Sequence, residues 1–177
     1  MRLLLSAALV LLLFAPCSGQ TRGKASRPKA LKCLNPEAIG SVTGSYFRIV
    51  SGPPGGRDWE QLRALSLETA RFDAVGINER GQNEFHPQTR EEYVKHLGEY
   101  LRKYGFFQSE VKRTVRCYAR IAQVFSTYES RNDRRGKVID RGVMSFHLIH
   151  TEGRWKIAHV MWNSETKEQP IPAEYLR

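Results

Sequence analysis

The chain has 177 residues, 41% of them hydrophobic, and a formal net charge of +10 at pH 7. This length suits a single domain with a real core once a leader is removed. The excess of Lys and Arg lies mainly in two clusters, residues 22–32 and 131–141, and no aromatic residue interleaves with the first for base stacking. We therefore interpret the clusters as a solvated tail and a hairpin loop, and expect no nucleic-acid partner.

The first 19 residues have the features of a signal peptide. A single positive charge precedes the apolar run from Leu3 to Phe14, which is too short to span a bilayer, and small residues follow it. Cleavage after Gly19 would leave a mature chain with no membrane partner, exported to the periplasm or secreted. Lipidation of Cys17 is the less favoured alternative, because Pro16 rather than a small residue precedes it.

Residues 20–35 are polar, basic and contain proline, which predicts a disordered linker. In the exported chain the remaining cysteines are Cys33 and Cys117, and an oxidising compartment permits a disulfide between them. Two separate buried thiols are the alternative, and the sequence leaves both open. Two cysteines without a nearby histidine do not make a ligand set, so we expect no metal. The sequence has no phosphate loop and no dinucleotide fingerprint, so we expect no cofactor.

The first half of the domain predicts three helices and a pair of strands. Asn35-Pro36-Glu37 is a good helix start, with a cap, a first-turn proline and an acid at the positive end. That helix reaches Val50, and the segment DWEQLRALS (58–66) predicts a shorter second helix. A strand and its return follow in residues 70–87, and a capping-box pattern then opens a third helix that ends at Lys103.

After residue 105 the spacing of apolar residues changes to two, which predicts four strands. They fall in residues 106–118, 119–131, 141–150 and 154–165. The last two flank the turn Thr151-Glu152-Gly153 and predict a long antiparallel hairpin. Helices followed by a block of antiparallel strands indicate an α+β fold, with the helices on one face of a curved sheet. We expect the tail, residues 168–177, to wrap back on this body.

Three stretches carry a resemblance to a known superfamily: YFRIVSGPPGGRDW (46–59), RIAQVFSTYESR (120–131) and RGVMSFHLIHTEGRWKIAHVMWNSE (141–165). Together they resemble the nuclear transport factor 2-like superfamily, which includes polyketide-cyclase-like proteins, and most of all an uncharacterised exported bacterial group within it. The resemblance implies one domain over residues 36–167. It also implies a cone, in which a strongly curved antiparallel or mixed sheet, covered by about three N-terminal helices, holds a pocket. Members include isomerases, dehydratases, hydrolases, cyclases and non-catalytic binders, so the fold does not decide the function.

Alternation along the strands predicts which side chains face this pocket. If Trp155 and Ile157 are buried, His159 and Met161 share their side of the last strand. Ser145 and His147 then point outward, to solvent or to a second subunit. The predicted pocket residues are Val124, Ser126, Met144, Trp155 and Met161.

Four residues are candidates for catalysis. An imidazole at position 159 on an apolar wall can serve as a general acid or base near neutral pH, although a structural histidine is the alternative. Tyr46 and Tyr128 could donate hydrogen bonds to a carbonyl or enolate oxygen, or could simply pack in the core. In the ketosteroid-isomerase-like branch a carboxylate in the region of Asp73 is the base. No second inward carboxylate accompanies it here, so an exposed charge at a strand end is the favoured interpretation of Asp73.

These residues leave three hypotheses open. The favoured one is an exported domain that binds a small apolar molecule in the cone. The second is a cofactor-free dehydratase or isomerase that uses His159 with Tyr46 or Tyr128. The third is a module that forms a homodimer through the outer face of the sheet. Whether the chain is an enzyme stays undecided at this stage.

Overall fold

The computed structural model describes residues 32–77 and 80–176, so the predicted signal peptide and most of the predicted linker lie outside the described residues. The elements follow the predicted order of two helices, a strand pair, a helix and four strands. They are α1 (Pro36–Val50), α2 (Trp59–Leu65), β1 (Ser66–Ile77), β2 (Asn83–His86), α3 (Arg90–Lys103), β3 (Phe107–Tyr118), β4 (Ile121–Arg131), β5 (Asp140–Thr151) and β6 (Arg154–Ser164), followed by a 3-10 turn at Ala173–Tyr175. In the described ranges no helix is both long and apolar enough to cross a bilayer.

The six strands form one mixed sheet in the order β2-β1-β6-β5-β4-β3. Strand β1 runs parallel to β6, and every other neighbouring pair is antiparallel. The sheet is curved but not closed, which confirms the predicted α+β cone. The three helices contribute to one hydrophobic core with the side chains of a single sheet face. We call this the helix face, and the opposite side the outer face.

Local signals explain where the helices begin. The Thr89 hydroxyl accepts from the Glu92 N–H, and the Glu92 carboxylate accepts from the Thr89 N–H at 2.8 Å, which is the predicted capping box. The Asp58 carboxylate caps α2 by accepting from the Gln61 N–H at 3.2 Å. Asn35 differs from the prediction: it adopts φ 42° and its side chain makes no capping bond.

Aromatic rings fill the space between the helices and the sheet. The hydroxyls of Tyr46 on α1 and Tyr93 on α3 are hydrogen bonded at 2.7 Å. Phe72 stacks on Tyr93 with ring centroids 4.6 Å apart, and Phe146 meets Tyr46 edge-on at 5.2 Å. All four residues are buried. The region in which the resemblance implies a pocket is therefore packed as core at this level of the sheet.

One unpaired residue in β6 changes which side chains reach that core. Ile157 lies opposite Leu148 and His159 lies opposite His147, so Ala158 between them has no partner on β5. An extra residue of this kind is a β-bulge, and it shifts the alternation of the strand by one position.

The bulge places His159 and Met161 on the outer face. Trp155 and Ile157 are buried on the helix face as predicted, but after the bulge it is Val160 that continues this buried series. The prediction that His159 and Met161 share the face of Trp155 and Ile157 is therefore wrong.

The segment before α1 is attached to the sheet. A disulfide joins Cys33 to Cys117, which are 84 positions apart in the chain and have their Cα atoms 5.5 Å apart. The Leu34 N–H donates to the Ala119 carbonyl at 3.1 Å, and the Trp155 indole N–H donates to the Leu34 carbonyl at 2.9 Å. The composition of residues 33–35 predicts a linker, but these contacts make them part of the domain.

The disulfide should contribute measurably to stability, because it closes a long loop and so reduces the number of conformations open to the unfolded chain. Replacing both cysteines (Cys33→Ser with Cys117→Ser) should lower the free energy of unfolding by about 2–4 kcal/mol, measured by urea denaturation. Dithiothreitol should lower the stability of the natural chain by a similar amount and leave the double variant unchanged. Equal stability of the oxidised and reduced natural chain would contradict this assignment.

Candidate functional site

An apolar cleft of about 450 Å³ opens on the outer face, between the sheet and the C-terminal tail. Alternate residues of the strands supply one side and the tail supplies the other. The wall includes Val75, Phe125, Val143 and Met161 from the sheet, and Ile171 and Tyr175 from the tail. Ser145 and Asn163 add polar atoms to this mainly apolar surface. The cleft can therefore accept an apolar body and orient it with a few hydrogen bonds.

The tail is held over the cleft by specific contacts. The Ile171 N–H donates to the Glu165 carboxylate at 2.8 Å, and Arg141 donates to the same carboxylate at 2.7 Å. The first of these hydrogen bonds, together with Arg141, lowers the pKa of Glu165. Farther on, Lys112 donates to the Glu174 carbonyl at 2.6 Å. The tail thus wraps back on the domain, as expected from the sequence, and forms a wall of the cleft.

A buried carboxylate lies beside the cleft. Asp73 on β1 is opposite Met161 of the cleft wall in the β1–β6 register, and it is only 3% exposed. It accepts hydrogen bonds from the Gln88 N–H at 2.8 Å and from the Arg71 guanidinium at 3.2 Å. It also bonds the Nε2 atom of His159 at 3.0 Å. The expectation that Asp73 is an exposed charge at a strand end is therefore wrong.

These hydrogen bonds keep Asp73 ionised. Burial raises the pKa of Asp73, but the bonds from Gln88, Arg71 and His159 together outweigh it and lower the pKa below its ordinary value of 3.8. An ionised carboxylate only accepts hydrogen bonds, so the Nε2 atom of His159 is the protonated one. When the imidazole is neutral, its Nδ1 atom is consequently the acceptor.

A second imidazole stands beside this pair. His147 lies opposite His159 across the β5–β6 register, with ring centroids 5.9 Å apart. Desolvation lowers the pKa of His147, and the proximity of His159 lowers it further. Ser145 and His147 both lie on the outer face, as the alternation along β5 predicted. The homodimer expected through this face stays a prediction.

The two candidate tyrosines are on the other side of the sheet. Tyr46 is bonded to Tyr93 in the core, and the Tyr128 hydroxyl is 3.1 Å from the Ser164 hydroxyl. Burial raises the pKa of both Tyr46 and Tyr128. The predicted constellation of His159 with Tyr46 or Tyr128 does not form, because the bulge at Ala158 turns the imidazole away from both hydroxyls.

Scans against models of known families and against curated proteins find no match to this chain. Solved structures do match. A protein of unknown function with a cystatin-like fold from Nostoc punctiforme aligns with a TM-score of 0.60 and 11% identity, over 78% of this chain and 97% of that chain. A candidate scytalone dehydratase from Novosphingobium aromaticivorans aligns with a TM-score of 0.54 and 17% identity, over 73% and 83% of the two chains.

A candidate ketosteroid isomerase from Shewanella frigidimarina gives a TM-score of 0.50 and 19% identity, over 71% of this chain and 94% of that chain. The protein has the nuclear transport factor 2-like fold. At these identities the comparison establishes the fold alone.

Within this nuclear transport factor 2-like domain, most of the predicted pocket residues belong to the core. Met161 lines the outer cleft, but the other four are at most 3% exposed on the helix face. They are Val124, Ser126, Met144 and Trp155. The Ser126 hydroxyl, for instance, donates to the Glu110 carboxylate. None of these four side chains lines the outer cleft, although Trp155 also borders a separate groove of about 410 Å³ beside α1 and α2.

The cleft itself was missed at the sequence level, although part of its signal is present. The alternation of residues along β4 and β5 places Phe125 and Val143 on the outer face. Apolar side chains therefore occur on both faces of these strands. The tail carries the large hydrophobic residues Ile171, Tyr175 and Leu176. Apolar residues on a strand's second face indicate that something covers that face.

Replacing the buried carboxylate should destabilise the domain in a pH-dependent way. Asp73→Asn places an amide N–H₂ against hydrogen-bond donors and should lower the free energy of unfolding by about 1–3 kcal/mol at pH 7. Because folding lowers the pKa of Asp73, its contribution is present above the ordinary value of 3.8 and is lost as the pH falls below it. Urea denaturation at several pH values measures both effects.

The control is Glu68→Gln on the same strand, where the carboxylate is exposed. It should change the stability by less than about 0.5 kcal/mol across the same pH range. If the difference in the free energy of unfolding between the natural chain and Asp73→Asn grew as the pH falls, the lowered pKa of Asp73 would be refuted.

Proposed function

We propose that this protein is an exported domain of the nuclear transport factor 2-like fold that binds a small apolar molecule in the outer cleft. The observation that carries the proposal is the cleft itself. Its volume of about 450 Å³ lies in the range of ligand sites in proteins, and apolar side chains from both the sheet and the tail form its wall.

The polar groups at the cleft support a ligand that is mainly apolar. Ser145 and Asn163 offer a hydroxyl and an amide, while Glu165 is already engaged by Arg141 and the Ile171 N–H. A ligand that carries many charges would bury some of them against the apolar wall without partners, which costs free energy of binding. A compact hydrocarbon or aromatic body with one or two hydrogen-bonding groups matches the lining better.

Two independent features support export. The first 19 residues have the charge and apolar pattern of a signal peptide. The Cys33–Cys117 disulfide is of a kind that persists mainly in oxidising compartments such as the periplasm or the extracellular space. Together they favour a binding protein that meets its ligand outside the cytoplasm.

Binding can be tested with N-phenyl-1-naphthylamine, an uncharged apolar dye whose fluorescence rises in apolar surroundings. We expect saturable binding of one dye per chain. The variant Val143→Trp places a large ring in the cleft and should weaken binding at least tenfold, since it occupies the volume that the dye requires. Fluorescence titration measures the affinity.

The matched control is Val115→Trp, which adds the same ring at an exposed valine of the edge strand β3. It should leave the dye affinity within about twofold. Thermal unfolding followed by circular dichroism verifies that both variants fold. The absence of saturable binding, or equal binding by the natural chain and a folded Val143→Trp variant, would reject the proposal. Where the dye binds, native mass spectrometry of protein purified from its source should detect a retained small molecule and identify the natural ligand.

The Asp73–His159 pair supports a second candidate function, proton transfer on a molecule held in the cleft. A carboxylate that orients an imidazole is the usual arrangement of a general acid or base. Here His159 is partly exposed and stands two residues before Met161 of the cleft wall. The tyrosines predicted to stabilise an oxyanion do not reach the cleft, since both are in the core. This function is therefore second to binding.

Dehydration of scytalone and isomerisation of a ketosteroid, the reactions for which two similar structures are named, provide assays for this second candidate. If the pair is catalytic, His159→Asn should lower kcat at least one hundredfold. His86→Asn, which changes an exposed histidine on β2, is the control and should retain full activity. If the natural chain binds the dye but catalyses neither reaction, the second candidate function is rejected and the binding function is retained.

A further inference from the structure

The loop between β4 and β5, residues 132–139, presents basic and apolar side chains on an ordered turn. The Gly136 N–H donates to the Asp133 carbonyl at 3.2 Å, and the Asp133 carboxylate accepts from the Arg135 N–H at 2.9 Å. An acid at the first position and a glycine at the fourth are typical of a tight turn. At the base of the loop, the Ile139 N–H donates to the Ser130 carbonyl at 2.9 Å. These bonds fix the loop.

Three cations of this loop are available to a partner. Arg134, Arg135 and Lys137 are exposed, and in the described part of the chain none of them forms an ion pair. Their neighbours in the strands differ, since Arg131 pairs with Glu129 and Arg141 pairs with Glu165. One acid, Asp133, lies within the loop, so the loop keeps an excess of positive charge.

The basic surface continues into a cavity next to the loop. Arg48 from α1 joins Arg131 and Arg134 around a space of about 290 Å³ whose lining contains no acidic residue. Phe107 forms part of the same lining, and the Arg134 guanidinium lies 5.9 Å from the centre of its ring. Three guanidinium groups around one cavity favour an anionic group such as a phosphate.

Two aliphatic side chains follow the cations directly. Val138 is 42% exposed and Ile139 is 52% exposed, although both are strongly hydrophobic. The bond between the Ile139 N–H and the Ser130 carbonyl holds the backbone here, so the two side chains cannot turn into the core without breaking the start of the hairpin. An exposed apolar pair beside exposed cations is the composition of a surface that enters the interface of a lipid bilayer.

We propose that this loop docks the domain on an anionic lipid surface. Phosphate groups of the lipids would meet Arg134, Arg135 and Lys137, and Val138 with Ile139 would enter the boundary between head groups and acyl chains. A single-stranded nucleic acid would stack its bases on exposed aromatic rings, whereas the Arg134 guanidinium lies over the Phe107 ring, and neither single nor double strands account for the exposed aliphatic pair. This contact departs from the expectation that the mature chain has no membrane partner.

The test uses the mature chain, residues 20–177, and co-sedimentation with vesicles. Vesicles that contain phosphatidylglycerol should bind the protein, vesicles of phosphatidylcholine alone should bind it weakly, and added salt should weaken binding to the first kind. The triple variant Arg134→Ala, Arg135→Ala, Lys137→Ala should lower the partition coefficient about one hundredfold. The variant Val138→Ser with Ile139→Ser should lower it about tenfold.

Matched controls separate this loop from the general charge of the protein. Lys95→Ala with Arg102→Ala and Lys103→Ala removes the same charge from exposed positions of α3 and should lower partitioning less than about threefold. Val111→Ser with Ile121→Ser changes one exposed valine and one exposed isoleucine elsewhere and should have no effect.

Three results would overturn the inference. One is the absence of binding to phosphatidylglycerol vesicles. Another is an equal loss of binding in the loop variant and the α3 control, because charge alone would then account for the attraction. The third is binding of a single-stranded RNA that the loop triple variant abolishes while vesicles are not bound. Dye binding in the outer cleft is measured in a separate experiment, so a failure of the docking proposal can be distinguished from a failure of the proposed binding function.

Discussion

A β-bulge at one residue interrupts the pairing of β6 with β5, and the position of the candidate site depends on that bulge. Ala158 has no partner, so the strand enters its second half with its alternation reversed. Val160 takes the place in the core that His159 would otherwise occupy, and the imidazole reaches the outer face beside Asp73. A small side chain suits the position, because a bulged residue neither packs against the core nor pairs across the sheet.

The two faces of the sheet consequently have different roles. The helix face is filled by interlocking rings such as Tyr46, Phe72 and Tyr93, with hydroxyls paired inside the core. None of the α-helices in the described ranges covers the outer face, and the tail covers part of it through the bond from Ile171 to Glu165. A cleft arises where the tail leaves the sheet incompletely covered. The resemblance implies a pocket on the helix face, but the apolar cleft of about 450 Å³ lies on the outer face.

Much of this architecture could be predicted from the sequence, since its signals are local. The capping box at Thr89, the turn at Glu152-Gly153 and the alternation in β4 and β5 each depend on residues close together in the chain. The outer position of His159 could not be predicted. Alanine occurs on both faces of strands, so an extra alanine in β6 does not visibly interrupt the alternation of apolar and polar residues. The burial of Asp73 could not be predicted either, because two of its partners lie outside its own strand: the Gln88 N–H is 15 positions away and the His159 imidazole is 86 positions away.

The disulfide encloses a covalent ring that runs from Cys33 through α1, α2, β1, β2, α3 and β3 to Cys117. The exposed turn at Arg80 and Gly81 lies inside that ring, and the basic loop between β4 and β5 lies outside it. A protease that cuts after Arg80 would therefore produce two pieces still joined through sulfur, and the domain could survive the cut. A cut after Arg135 has no such covalent connection, so β5, β6 and the tail would be held by noncovalent contacts alone.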